Sequence, residues 1–323
     1  MDAIGKISKF RSELMGIATI MILLGHSVFY GQGFVDYGIF QDLFTLGYSG
    51  VDIFLFLSGF GLVFSMKKNN LSTFYKHRFK RIMPSVILVV ILNIVVFSYK
   101  NIGLHMLNPL YWFGYYWYIG FILIAYLFFP FLYGVLQRIG DKVLFYSIII
   151  SIVMFLPFIY IGQAESTPYT CFVTRIPIFV MGGCVGMGGQ RWLFRPSILM
   201  IMFLLGILLL VPYYLNNNLG GNEKINTYYV FLLITPPLLK VLCEFLGLSF
   251  SRNICSSLRL IGKYSLEIYL VQVTIMAPLM HFFNRHDFNM SSNLFISFSI
   301  VLITSIIMKC LEEKIQLIYN SAI

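Results

Sequence analysis

The sequence predicts an all-α protein: a polytopic membrane helix bundle of about ten transmembrane helices, forming a single integral-membrane domain over residues 1–323. The composition is the first reason. Hydrophobic residues make up 59% of the chain and charged residues 11%, with a mean hydropathy of +0.83, whereas soluble domains carry about 25% charged residues. The five cysteines are scattered and form no CxxC pair. These features exclude a cytosolic enzyme, a disordered chain and a secreted disulfide scaffold.

Long apolar runs are the second reason. A helix that crosses a bilayer needs about 20 apolar residues, and its backbone amides must be bonded within the segment. The candidate spans are 13–31, 43–66, 82–99, 117–137, 143–162, 172–189, 197–215, 227–247, 264–283 and 294–311. The first follows Lys6, Lys9 and Arg11 as a signal peptide would. It is longer and lacks a clear cleavage site, which indicates a retained signal anchor.

The distribution of positive charge is the third reason and predicts the orientation. Ten spans place both termini on one side, and lysines and arginines favour the cytoplasmic side. With cytoplasmic termini, nineteen of the 23 basic residues fall on the inner side, counting Lys240 and Lys309 in the inner halves of their spans, three lie outside, and Arg175 lies near the outer end of a span. This distribution accounts for the net charge of +10. The expected partner of the charged surface is therefore the lipid bilayer and not a nucleic acid.

Two polar residues in the first two spans are candidates for chemistry, since such residues are costly in lipid. His26 lies fifteen residues after Arg11, or about 22 Å along a helix. It is either a general base or a neutral, hydrogen-bonded histidine inside the bundle. Asp52 lies about 13 Å into the second span if that span begins near Leu43. It either orients the imidazole or serves as a helix cap or ion-pair partner.

Three arginines are further candidates. Arg78 and Arg81 are three residues apart and share one helix face. They either hold phosphates bidentately or anchor the helix at the cytoplasmic surface. Arg175 either snorkels to the outer surface or faces inward, where it binds an anionic acceptor or a developing negative charge.

Several catalytic motifs are absent from the sequence. It contains no GxxxxGK[ST], GxGxxG, HExxH or GxSxG segment, so nucleotide hydrolysis, zinc proteolysis and serine hydrolysis have no support. We expect no metal site. A segment that contains Gly182 and Gly186 predicts close helix packing.

Taken together, these residues resemble the membrane acyltransferase 3 family. The similar segments are His26 at the end of the first span, Gly50-Val51-Asp52-Ile53-Phe54 running into Ser58-Gly59-Phe60, and Arg78-Phe79-Lys80-Arg81-Ile82-Met83-Pro84. Further on are Tyr116-Trp117-Tyr118-Ile119 with Pro130, Arg175 with Phe179 and Gly182-Gly183, and Gly262-Lys263-Tyr264-Ser265-Leu266-Glu267-Ile268-Tyr269-Leu270. The similarity extends from about residue 11 to residue 272, in the order of the family.

The resemblance implies transfer of an acyl group, usually acetyl, from cytoplasmic acyl-CoA. Acetyl-CoA would be the donor substrate, with no permanently bound cofactor. The acceptor would be a hydroxyl of a cell-envelope polysaccharide or a lipid-linked sugar, and the location the bacterial plasma (inner) membrane. The implied site residues are His26 as base, Asp52 as its partner, Arg78 and Arg81 at the CoA phosphates, and Arg175, Trp117 and Tyr269 for the acceptor or for charge stabilisation.

The chain departs from the family pattern at two positions. Many members have Arg or Lys eleven residues before the histidine, where this chain has Met15, and many end the late segment in His, where it has Gln272. These departures leave open a catalytically inactive relative. Buried Asp, His and Arg also fit a second class of function, a carrier or flippase for envelope glycans or lipids.

Overall fold

The chain is helical throughout the part that the computed structural model describes, which comprises residues 2–31, 37–97, 116–160, 168–189, 191–215, 224–248, 252–285 and 290–321. The α-helices in chain order are α1 Ala3–Lys9, α2 Arg11–Gly31, α3 Gln41–Thr45, α4 Gly50–Lys68, α5 Leu71–Phe97, α6 Trp117–Ile139, α7 Lys142–Tyr160, α8 Pro168–Thr174, α9 Ile176–Gly186, α10 Pro196–Leu215, α11 Lys224–Leu246, α12 Arg252–Lys263, α13 Ser265–Arg285 and α14 Met290–Ser321. Short 3₁₀ turns lie at Gly38–Phe40, Leu46–Ser49 and Arg191–Phe194. This confirms the predicted all-α class.

Among the described residues, each predicted span overlaps one helix or two consecutive helices. In the described ranges seven helices are long and apolar enough, or up to eight if a bent pair counts as one span. They are Arg11–Gly31, Gly38–Lys68, Leu71–Val96, Trp117–Ile139, Tyr169–Gly186, Tyr229–Leu246 and Asn293–Lys314. Two further apolar stretches, Lys142–Pro157 and Pro196–Leu210, lie within α7 and α10. The protein is therefore a multi-pass helix bundle, while the count of ten and the side of the termini stay predictions.

A close backbone contact joins α4 to α9. A methyl group at Gly182 would lie 2.0 Å from the carbonyl oxygen of Phe56, and one at Gly59 would lie 2.1 Å from that of Phe179. The two backbones therefore touch where neither helix has a side chain. This confirms the packing predicted for the glycine segment of α9, and it fixes the rotation of α4 about its axis.

The ninth predicted span is the second half of a bent pair. Asn253–Lys263 and Ser265–Met280 meet at an angle of 67°. The first half, α12, packs on the start of α2, where a methyl group at Gly262 would lie 1.9 Å from the carbonyl oxygen of Ser12. A search for apolar runs cannot find α12, because it is amphipathic. Its charged residues, expected in a loop, are instead held on a helix beside α2.

Candidate active site

A cavity of about 770 Å³ lies between α2, α4, α5, α6, α12 and α13. Five cationic residues line it: Arg11, Arg78, Arg81, Arg259 and Lys263. They belong to helix segments that the orientation rule places on the cytoplasmic side. The remaining wall is mostly apolar and aromatic and includes Ile22, Val51, Phe54, Tyr118 and Tyr269. Because Arg11 and Ile22 are both in α2, the cavity extends about 16 Å along that helix.

Three guanidinium groups in the cavity lack a carboxylate partner among the described residues. Arg11 donates to the backbone oxygen of Leu57 through Nε and Nη2, both at 3.4 Å. Arg78 donates to Ser65 Oγ at 2.8 Å and lies 5.6 Å from the ring centres of Phe74 and Tyr126. Arg81 donates to the backbone oxygen of Lys263 at 3.4 Å. These contacts orient the three side chains and leave their positive charge unneutralised.

The fourth arginine of the cavity is neutralised. Arg259 of α12 donates through Nε at 3.0 Å and through Nη2 at 2.6 Å to Oε1 of Glu13. The Glu13 side chain is 1% exposed and that of Arg259 is 66% exposed. This ion pair joins α12 to α2, so it holds the cavity wall together. Met15, the first departure from the family pattern, also lines the cavity.

His26 lies one helical turn beyond the inner end of the cavity. Ile22, four residues earlier in α2, is in the cavity wall, while His26 is not among the lining residues. The histidine ring is partly exposed, its centre is 5.7 Å from that of Tyr30, and its Nδ1 is buried with no hydrogen-bond partner. The Gln272 side chain of α13 lies at hydrogen-bonding range of the ring. The second departure from the family pattern therefore contacts the predicted base.

Asp52 forms an ion pair with Arg175, the second role that the sequence left open for it, and its pairing with His26 stays a prediction. Its Oδ1 lies 3.4 Å from Nε of Arg175, and the two side chains are 1% and 2% exposed. The reason is the rotation of α4. Val51 and Phe54 face the cavity, and Asp52, about 100° further around the helix than Val51, faces α9.

The predicted site residues thus fall into separate groups. Arg78 and Arg81 lie at the basic end of the cavity. Tyr269 lies in its wall, 5.1 Å from the ring of Tyr118. His26 lies beyond the inner end. Asp52 and Arg175 are buried on the side of α4 away from the cavity, where the Arg175 guanidinium is 5.1 Å from the ring of the half-buried Trp117.

Sequence reasoning missed three residues of this site. The sequence assigns Arg11 to the cytoplasmic surface, because it lies just before the first span. Tyr118 follows Trp117 in the aromatic segment but was not singled out. Gln272 stood only as a departure from the family. The sequence could have indicated Arg11, because it is a cation one helical turn before Met15. Met15 is the position at which this chain lacks the basic residue that is usual in the family.

One comparison with known proteins bears on this arrangement. The family described as an acyltransferase domain, acyltransferase 3, matches residues 14–310, nearly the whole chain. The chain belongs to this family. No curated protein and no solved structure matches it. The match includes His26, Gln272 and the arginines of α5, and Arg11 lies just before it. Together with helices apolar enough to cross a bilayer, membership makes the protein a multi-pass membrane acyltransferase.

Proposed function

We propose that the protein moves an acyl group, acetyl in the simplest case, from cytoplasmic acyl-CoA to a hydroxyl of a cell-envelope polysaccharide or lipid-linked sugar in the bacterial plasma membrane. One observation carries the proposal: a cavity with three unneutralised guanidinium groups at one end comes within one helical turn of a histidine at the other. The basic end suits phosphates and the apolar length suits a pantetheine arm.

The donor side rests on the chemistry of arginine. A guanidinium has its donors in a planar fork that matches two phosphate oxygens, and it stays charged when partly desolvated. Arg78 and Arg81 lie one turn apart on α5, and Arg11 faces them from α2. Coenzyme A carries several phosphates on one end of the molecule. Three guanidinium groups without carboxylates would bind that end, and the thioester would extend toward Tyr118 and Tyr269.

The proposed chemistry is direct acyl transfer. His26 takes the proton of the acceptor hydroxyl while the hydroxyl oxygen attacks the thioester carbonyl carbon. The tetrahedral intermediate then breaks its carbon–sulfur bond, and the departing thiolate takes the proton from the imidazolium. The Tyr118 and Tyr269 hydroxyls are the available donors to the intermediate's oxyanion from the cavity wall. In this scheme Arg175 and Trp117 stabilise charge or bind the acceptor from the side of α4 that faces away from the cavity.

The test compares wild type with His26→Ala in membranes that contain the protein. With radiolabelled acetyl-CoA, we expect the variant to lose acetyl transfer to the envelope glycan fraction by about 100-fold or more, the usual contribution of a general base. His77→Ala is the matched control, because His77 is exposed beside Arg78 and outside the cavity. Undiminished labelling by His26→Ala would refute the assigned base.

A further inference from the structure

The side chains of Gln272 and His26 each have one buried polar atom without a hydrogen-bond partner. Gln272 is 1% exposed and lies on α13, which packs against α2, so that its side chain is next to the His26 ring. The Oε1 of Gln272 and the Nδ1 of His26 are both buried without a hydrogen-bond partner. Buried polar atoms in proteins are nearly always bonded, so each such atom calls for an explanation.

The two atoms are chemically complementary. An amide oxygen only accepts hydrogen bonds, and a neutral imidazole carries one N–H and one bare nitrogen. If Nδ1 carries the proton, it donates to Oε1, and both unsatisfied atoms are satisfied at once. The other nitrogen, Nε2, is then bare. Hydrogen bonds of catalytic groups are often long or misaligned before substrate binds and tighten afterwards.

We propose that Gln272 is a positioning residue for His26: its amide oxygen accepts from Nδ1–H, fixes that tautomer, and leaves Nε2 as the base. Its catalytic meaning rests on the proposed function. In this chain a neutral amide from α13 takes the place that sequence reasoning gave to the carboxylate of Asp52.

The charge around the ring agrees with a neutral partner. Tyr30 faces the ring from α2 itself. Tyr48, in the 3₁₀ turn packed on Gly25, points to Phe231. On α4 the carboxylate of Asp52 is bound to Arg175. Among the described residues, the orientation of His26 therefore depends on the amide, and the ring has no carboxylate to hold it as an imidazolium.

The first test reads the tautomer without any transfer reaction. Protein labelled with ¹⁵N-histidine is reconstituted in lipid, and the signal of His26 is found among the five histidines by its loss in His26→Ala. We expect protonated Nδ1 and bare Nε2 in wild type and in Gln272→Glu, which keeps an acceptor oxygen. In Gln272→Leu this preference should be lost. A wild-type ring protonated on Nε2, or an unchanged spectrum in Gln272→Leu, overturns the proposal.

The second test reads the consequence for transfer from acetyl-CoA. Gln272→Leu should lower kcat about tenfold or more with the KM for acetyl-CoA unchanged, and Gln272→Glu should keep more activity than Gln272→Leu. The matched control is Thr274→Val on the same helix, since Thr274 is buried but bonds to Tyr116 and Asn93 instead. If Thr274→Val lowers kcat as much, Gln272 has only a packing role. If wild type transfers nothing from acetyl-CoA, the proposed function fails while the tautomer result still decides this inference.

Discussion

The arginines of the cavity define its chemistry at the scale of single residues. Removing a charge from water is costly unless an opposite charge compensates it. Glu13 compensates Arg259, but the described residues place no carboxylate on Arg11, Arg78 or Arg81. Such a cluster is expected to bind an anion with several negative groups. Arg11 is the member of the cluster that sequence reasoning overlooked.

We expect Arg11→Gln to weaken acetyl-CoA binding about tenfold or more, since a hydrogen bond to a charged group contributes about 1.5–3 kcal/mol. Binding is measured by calorimetry on purified protein. Arg138→Gln is the control, because Arg138 is exposed at the end of α6 and does not line the cavity. Equal affinity in Arg11→Gln would make Arg11 an anchor only. No binding by wild type would favour the carrier or flippase over the enzyme.

The residues that sequence could and could not assign differ in a physical way. The spacing of Arg78 and Arg81 predicts a shared helix face, and the cavity contains both. Depth along a helix is equally readable. A position about 22 Å from the inner end of the first span and one about 13 Å from the outer end of the second lie in the same half of a bilayer core about 30 Å thick. Rotation about the helix axis is not readable from one sequence, and it turns Asp52 toward Arg175. The contact of His26 with Gln272 depends on the packing of α2 against α13, which no local pattern contains.

At the scale of elements, α12 is the helix that completes the cavity. It carries Arg259 and Lys263 into the wall and lies on α2 through a backbone contact at Gly262. The bend near Tyr264 then directs α13 past His26. The sequence predicted α13 from its apolar run, but α12 lacks such a run, so its existence follows only from the packing against α2.

We expect Gly262→Ala to push α12 away from α2, because the added methyl would lie 1.9 Å from the carbonyl oxygen of Ser12. Overpacking of this kind costs about 1–3 kcal/mol. The variant should unfold at a lower temperature and bind acetyl-CoA more weakly, as followed by thermal melting and calorimetry. Gly134→Ala is the control, since no atom lies within 4 Å of the added methyl there. If both variants unfold at the same temperature, the methyl group added at Gly262 does not disturb the contact between α12 and α2.

At the scale of the whole molecule, the proposed use of acyl-CoA depends on which side of the membrane the basic end of the cavity faces. The positive-inside rule predicts that this end faces the cytoplasm, as the proposed acyl-CoA donor requires. Helix lengths alone do not decide this, because the described ranges contain seven helices that are long and apolar enough to cross a bilayer, or eight if the bent pair counts as one span. The orientation therefore requires its own measurement.

Two single cysteines decide the orientation. Asn70 lies between α4 and α5, and Gln41 begins α3, three residues into the segment Gly38–Lys68; both are exposed. In a Cys310→Ser background, which removes the one exposed cysteine among the described residues, a membrane-impermeant maleimide should label Asn70→Cys only in inverted vesicles and Gln41→Cys only in right-side-out vesicles. The reverse pattern would place Arg78 and Arg81 outside, beyond reach of cytoplasmic acyl-CoA. Labelling of both cysteines from one side would mean that the segment Gly38–Lys68 does not cross the bilayer.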